Sequence, residues 1–208
     1  MTPEQIEALF TRGDGTYLFA RWGRPIAPVV FGVDEDSLAT VKGAAEAVVA
    51  LAGHAMAETD PEMGANLMVF FLRDWDELIQ TPDLEHLVPD LRALVARLTA
   101  AGANQYRFFR FDASGAIKAA FVFVRMDDAL AALPAEAVAL NQMVQVIVLW
   151  SDTAFSELTP LARTPGGALV LRPEIAQVIR AGYDPVMPAV ARDPSHALRL
   201  AARIGAMQ

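Results

Sequence analysis

The sequence predicts an α+β protein in which a twisted, mixed β-sheet packs against helices. Three observations favour this class: short apolar strands, alanine-rich helical stretches between them, and one clear β-hairpin. The hairpin joins Gln105–Phe111 to Ile117–Arg125 through residues 112–115, with a glycine at the end of the turn. Such a hairpin among strands and helices favours a mixed sheet over a strictly alternating parallel fold.

The elements before the hairpin alternate between helix and strand. In order, they are a helix at 3–10, strands at 17–22 and 26–33, a helix at 37–58, a strand at 67–72, a short helix beginning near 74, and a helix at 87–101. Pro25 and Pro28 indicate that the second strand lies at a sheet edge or contains a bulge, since proline cannot donate to a ladder. The strand at 67–72 is apolar throughout, which is typical of a central strand.

The segment from Pro134 to Asp152 is almost continuously apolar and is interrupted by three amides, Asn141, Gln142 and Gln145. On a helix these amides fall within an arc of about 100°. A buried amide without partners costs roughly 1–3 kcal/mol, so the three need a local network, water or an opening. Two plainer interpretations stay open: the amides are the solvent edge of an amphipathic helix, or residues 144–150 form a buried strand.

The spacing in this segment resembles the metal-binding helix of zincin-type peptidases. These carry His-Glu-x-x-His, and the metzincin branch adds a third ligand ten residues after the first. Here Asn141 and Gln145 stand at the two imidazole positions, Gln142 at the general base, and Ser151 at the third ligand. Val148 replaces the glycine at which the metzincin chain turns, which is a departure from the motif.

More loosely, the chain resembles a group of uncharacterised bacterial proteins with a zincin-like core, many of them exported. The shared segments are Arg21-Trp22 with Pro25-Ile26, residues 65–70, and residues 149–152. The resemblance implies a zincin-like core at about 17–155 within a single domain of residues 1–208. Residues 156–208 are rich in proline and glycine, and they are expected to form an irregular extension with short helices at about 173–181 and 195–205.

The resemblance also implies a zincin-like architecture that lacks the zinc ligands and the general base. Neutral amides are poor zinc ligands, and glutamine cannot accept a proton from bound water. We therefore expect no catalytic residue, no metal and no other cofactor, and a binding or structural role in place of an enzymatic one. The candidate vestigial cleft consists of Asn141, Gln142, Gln145, Trp150 and Ser151. Its expected partner is a peptide or small polar ligand, or another protein.

The alternative is a hydrolytic enzyme of unrelated mechanism that uses a histidine and carboxylates. His54 precedes Glu58 by four residues, which would place both on one face of the helix predicted at 37–58. Asp60 and Glu62 follow closely, so a metal site can be drawn there. A helix end followed by solvated acids explains the same residues. A third possibility is a partner-dependent or oligomeric module that uses the C-terminal extension as its contact surface.

Composition excludes several other functions. The chain has 25 acidic and 17 basic residues and a formal net charge of −8, which disfavours nucleic acid and anionic membranes as partners. Arg107 and Arg110 alternate with phenylalanines as expected along a hairpin. The chain has no cysteine, which excludes thiol catalysis and disulfides. With neither a signal-peptide pattern nor an apolar run of membrane-spanning length, it is expected to be cytoplasmic, or periplasmic if a leader has been removed.

Overall fold

The computed structural model describes residues 1–156 and 158–207. Helices account for 40% of the chain and strands for 22%, and the main sheet is mixed, so the predicted α+β class is confirmed. Within the described ranges, no helix combines the length and the apolarity that crossing a membrane requires.

The bounds of the elements follow in chain order. They are α1 (Pro3–Ala8), β1 (Phe19–Ala20), β2 (Pro28–Phe31), α2 (Glu35–Ala52), β3 (Leu67–Leu72), α3 (Asp76–Gln80), α4 (Leu84–Leu87), α5 (Leu91–Ala100), β4 (Gln105–Phe111), β5 (Ile117–Arg125), α6 (Asp128–Ala131), α7 (Ala135–Ile147), β6 (Leu161–Arg163), β7 (Leu169–Leu171), α8 (Pro173–Gly182), β8 (Val190–Ala191) and α9 (Ser195–Ala206).

The main sheet has the strand order β2-β3-β5-β4. Strands β2, β3 and β5 are parallel, and β4 runs antiparallel to β5 as the predicted hairpin requires. Pro28 begins β2, which lies at one edge of the sheet, so the edge position predicted from the prolines is confirmed. The other edge is β4. Two further antiparallel pairs lie outside this sheet, β1 with β8 and β6 with β7.

The main sheet separates two apolar clusters because successive side chains of a strand point to opposite faces. Along β3, Leu67 and Val69 join the cluster that contains buried residues of α2, α7, α8 and α9. Met68 and Phe70 join the cluster that contains buried residues of α3, α4 and α5. The protein therefore has three layers, with α2 and α7 on one face of the sheet and α5 on the other.

The helix predicted at 37–58 is shorter than its alanine-rich pattern indicates. Helix α2 ends at Ala52, and Gly53 adopts the left-handed conformation with φ of 66°. A glycine in this conformation commonly ends a helix, because it turns the chain away without the steric cost of a Cβ atom. The prediction that His54 and Glu58 share one helix face is therefore wrong, since both residues follow the end of α2.

The segment that contains the three amides is helical. Helix α7 covers Ala135–Ile147, and the chain becomes extended at Val148, with φ of −136° and ψ of 163°. The interpretation of residues 144–150 as a buried strand is therefore wrong. Residues 144–147 belong to α7, and Val148 forms an isolated bridge to Arg21.

Helix α9 packs against the N-terminal part of the chain through a buried histidine. His196 is only 2% exposed. Its Nδ1 lies 2.8 Å from the hydroxyl oxygen of Tyr17, and its ring lies 4.5 Å from that of Phe19. Its Nε2 is buried and has no hydrogen-bond partner among the described residues. Burial, with a smaller contribution from the charge of Arg199, lowers the pKa of His196 to about 4.

This histidine is expected to make the protein sensitive to acid. The unfolded chain binds a proton at the ordinary histidine pKa of about 6.5, and the folded chain does so only near 4, so stability falls as the pH decreases through this window. Between pH 7 and about pH 4.5 the loss from this one group is about 2 kcal/mol. The variant His196→Gln keeps a hydrogen-bonding group for Tyr17 but cannot titrate. Urea unfolding at both pH values should show that its free energy of unfolding decreases by about 2 kcal/mol less than that of the wild type.

The control is His86→Gln, because His86 is exposed. Carboxyl groups titrate in all three proteins, so the informative quantity is the difference between variants. An equal loss of stability in the wild type and in His196→Gln would contradict the prediction.

Candidate functional site

Gln142 lies on the face of α7 that covers β4, and it is fully buried with 0% exposure. Its Oε1 accepts a hydrogen bond from Arg107 Nη2 at 2.7 Å, and its Nε2 donates to Gln105 Oε1 at 2.8 Å. Arg107 Nη2 also donates to Gln105 Oε1 at 3.0 Å. These three side chains form a closed triangle that we call the arginine–amide cluster. The interpretation of the amides as a solvent edge is therefore wrong for Gln142.

The cluster holds the positive charge of Arg107, and no carboxylate of the described residues balances this charge. In the described part of the chain, Arg107 takes part in none of the ion pairs. Its Nε is buried and lacks a hydrogen-bond partner there. Burial lowers the pKa of Arg107 to about 10, so the guanidinium remains protonated at neutral pH. Neutral amides orient the guanidinium, but they do not neutralise it.

The polar contacts continue from the cluster to the start of β4. Gln105 Nε2 lies 3.4 Å from Asn104 Oδ1, and Asn104 Nδ2 donates to Asp127 Oδ2 at 2.8 Å. Asp127 also caps α6, because its Oδ1 accepts from the backbone N–H of Leu130 at 2.9 Å. These hydrogen bonds, the capping one first, hold the pKa of Asp127 below its usual range. The nearest carboxylate along this chain of contacts is therefore already engaged.

The other two amides of α7 bond to each other. Gln145 Nε2 donates to Asn141 Oδ1 at 2.8 Å, and both side chains are half-buried. One helical turn separates the two residues, so they stack on the same face of α7. The arc predicted from the sequence thus contains two separate arrangements, the Asn141–Gln145 pair and the cluster of Gln142.

Trp150 and Ser151 lie in different surroundings from the amides. The Trp150 ring stacks on Phe10 at 5.3 Å with an interplanar angle of 10°, and its Nε1 donates to the carbonyl of Val144 at 2.8 Å. Ser151 Oγ is 3.4 Å from the carbonyl oxygen of Ala8. Both side chains are 8% exposed. Both therefore pack against the N-terminal part of the chain, and neither contributes to the arginine–amide cluster.

The residues of the alternative hydrolytic site make structural contacts. His54 Nε2 is 2.8 Å from the carbonyl oxygen of Arg24, and burial lowers the pKa of His54. Asp60 is 5% exposed and accepts hydrogen bonds from the backbone N–H groups of Glu62 and Met63. Burial alone would raise the pKa of Asp60, but its hydrogen bonds hold the pKa below the ordinary value. Glu58 is exposed. In the ranges the structure describes, no group of three potential ligand side chains could hold a metal ion.

The cleft predicted from the sequence includes neither Gln105 nor Arg107. A signal for them exists, because residues two apart in a strand share one face. If a helix covers that face of β4, the polar side chains at 105 and 107 need hydrogen-bond partners, and the amides predicted on the central helix can supply them. Which of the three amides would meet them depends on how α7 sits on the sheet.

Comparison with models of protein families, with curated proteins and with solved structures finds no match for this chain. The fold and the site define its class: an α+β protein in which a half-buried arginine lies between an edge strand and a helix and forms no ion pair with a described carboxylate. The zincin-like resemblance of α7 stays a prediction.

Proposed function

We propose that this protein is a non-catalytic binding domain, and that its arginine–amide cluster receives the carboxylate of a peptide or small polar ligand. The observation that carries the proposal is the half-buried guanidinium of Arg107, which has a buried Nε without a hydrogen-bond partner and no ion pair with any described carboxylate. Buried charges in proteins are normally paired. In a chain with a net charge of −8 carboxylates are plentiful, yet none of those in the described ranges pairs with Arg107, which favours a partner supplied by a ligand.

The unused donors of Arg107 support this assignment. Nη2 donates to the two amide oxygens of Gln105 and Gln142. Nη1 makes no hydrogen bond within the described residues, and unlike Nε it is not closed off from solvent. An anion can therefore approach Nη1 while the two amides hold the guanidinium in place. A charge-assisted hydrogen bond of this kind is about twice as strong as a neutral one.

The position of the cluster on an edge strand favours an extended peptide among such ligands. Arg125 N donates to Asn104 O at 2.8 Å, which sets the alternation of the antiparallel ladder. By this alternation Gln105, Arg107 and Phe109 direct their backbone N–H and C=O groups away from β5. A peptide strand paired along this edge would use these groups and bring a side-chain carboxylate to Arg107.

The non-catalytic part of the proposal rests on Gln142. In the resemblance to zincin peptidases this residue occupies the position of the general base, and a glutamine cannot serve that role. Its oxygen and nitrogen are both engaged with side chains of β4. This arrangement supports a scaffold in which the central helix positions an arginine for binding.

The test uses two six-residue peptides, one alternating valine with glutamate and one alternating valine with glutamine. We expect the glutamate peptide to bind, with NMR shift changes at residues 105–109, and the glutamine peptide to bind about tenfold more weakly. Arg107→Gln should remove this preference. Higher salt should weaken binding of the glutamate peptide, because ions screen the charge.

The matched control is Arg92→Gln, which removes one positive charge from an exposed position on α5. It should leave the preference for the glutamate peptide unchanged. Equal affinity for the two peptides, or an unchanged preference in Arg107→Gln, would count against the proposal.

A further inference from the structure

A second candidate site is a crevice that lies where the parallel strands of the main sheet end. It has a volume of about 400 Å³ and is bounded by the chain after β2 and β5, by β3, and by the first turns of α2 and α7. The residues used below are Gly32, Asp34, Ser37, Phe71, Met126 and Val138. Crevices beyond the carboxyl ends of parallel strands are common ligand sites, and this volume suits a small molecule.

The floor of the crevice is a close backbone contact. Gly32 has φ of +78°, and a Cβ atom at this position would lie 2.0 Å from the carbonyl oxygen of Phe71. The chain therefore passes from β2 to α2 directly over the end of β3. The walls are apolar: Phe71 and Met126 are half-buried, and Leu133 on the rim is 44% exposed.

The charge at the mouth is negative. Among the described residues that line this crevice, Asp34 is the only ionisable one. Its Oδ1 accepts from the backbone N–H of Ser37 at 2.8 Å, and this hydrogen bond lowers the pKa of the carboxyl group, so it is charged at neutral pH. A neighbouring hollow shares Gly32 and Phe71 and adds one charge of each sign, Arg73 and Glu77. The combined surface therefore stays net negative.

We propose that this crevice binds a small amphipathic cation, with its apolar body between Phe71, Met126 and Val138 and its ammonium group at Asp34. Charge complementarity selects the cation, and the aromatic face of Phe71 adds a second favourable contact for it. Flexible, polarisable Met126 can adapt to the shape of the apolar body. This site is separate from the arginine–amide cluster and takes a ligand of the opposite charge.

Three probes with the same phenyl body test the proposal: phenethylammonium, 2-phenylethanol and 3-phenylpropionate. NMR titration of the full chain should show phenethylammonium binding, with shift changes at Gly32, Val33 and the methyl group of Met126. The alcohol should bind about threefold more weakly, because Asp34 is exposed and an exposed ion pair contributes little, and the carboxylate should bind more weakly still.

Two variants distinguish the contribution of the Asp34 charge to binding from the contribution of the apolar cavity. Asp34→Asn keeps the helix cap, since asparagine caps as well as aspartate, and should abolish the preference for the cation over the alcohol. Ala135→Phe adds a ring at the rim of the crevice and should weaken the binding of phenethylammonium and of 2-phenylethanol alike. Asp36→Asn removes an acid from the same helical turn outside the crevice and should change nothing.

The proposal is overturned if the three probes bind equally, if Asp34→Asn keeps the preference for the cation, or if the shift changes lie away from the crevice. Absence of binding of phenethylammonium at millimolar concentration would also overturn it.

Discussion

Replacing Asn66 with leucine is expected to destabilise the protein by about 4 kcal/mol. Asn66 is 0% exposed and makes three hydrogen bonds through its side chain. Its Oδ1 accepts from the backbone N–H of Ala27 at 2.8 Å, and its Nδ2 donates to the carbonyl of Pro25 at 2.9 Å and to Asp60 at 3.0 Å. Leucine has a similar volume, so the cost comes from leaving these buried groups without a partner.

Urea unfolding at neutral pH measures this effect. The control is Asn141→Leu, which should cost less than about 1 kcal/mol, because the half-buried Asn141 side chain makes one hydrogen bond within the described ranges, to Gln145. A cost below about 1 kcal/mol for Asn66→Leu would show that water replaces the lost partners. The expected result would identify the contacts around Asp60 as structural, which weakens the case for a hydrolytic site there.

Replacing Gly32 with alanine is expected to lower the free energy of unfolding by about 3 kcal/mol or more. Part of this arises because an L-residue resists positive φ by roughly 1–2 kcal/mol. The rest arises because the new Cβ would meet the carbonyl oxygen of Phe71 at 2.0 Å, and only a backbone shift can relieve that contact. The shift would also move the floor of the crevice between β2 and α2.

The matched control is Gly43→Ala. Gly43 lies inside α2, and a Cβ atom there would meet nothing within 4 Å. Alanine at this position should stabilise the protein by up to about 1 kcal/mol, because it favours the helix. Comparable free energies of unfolding for the two variants would contradict the geometry of the turn at Gly32.

The two proposed sites both involve helix α7, and they carry charges of opposite sign. Gln142 in the middle of α7 orients the cation of Arg107, whereas Val138, one turn earlier, lines the crevice that carries the carboxylate of Asp34. The two peptides and the three phenyl probes therefore act as reciprocal controls. A peptide with carboxylates should not perturb Gly32, and phenethylammonium should not perturb Arg107.

Local sequence determined the elements whose signal lies within a few residues. The hairpin strands Gln105–Phe111 and Ile117–Arg125 and the strand Leu67–Leu72 have the predicted bounds, because apolar and aromatic runs end at turn residues. The helix at the central amides was also predictable from its pattern. The end of α2 was missed, because the alanine-rich pattern continues past Gly53 while the backbone at Gly53 turns away.

Tertiary structure alone decided the site. Arg107 and Gln142 are 35 residues apart in the chain, and their hydrogen bond exists only because α7 lies across β4. The same holds for Trp150, whose ring stacks on Phe10 of the distant N-terminal part of the chain. Periodicity shows which side chains share a face of one element, but the partner of that face follows from how distant elements pack, and the free energy of that packing is spread over the whole core.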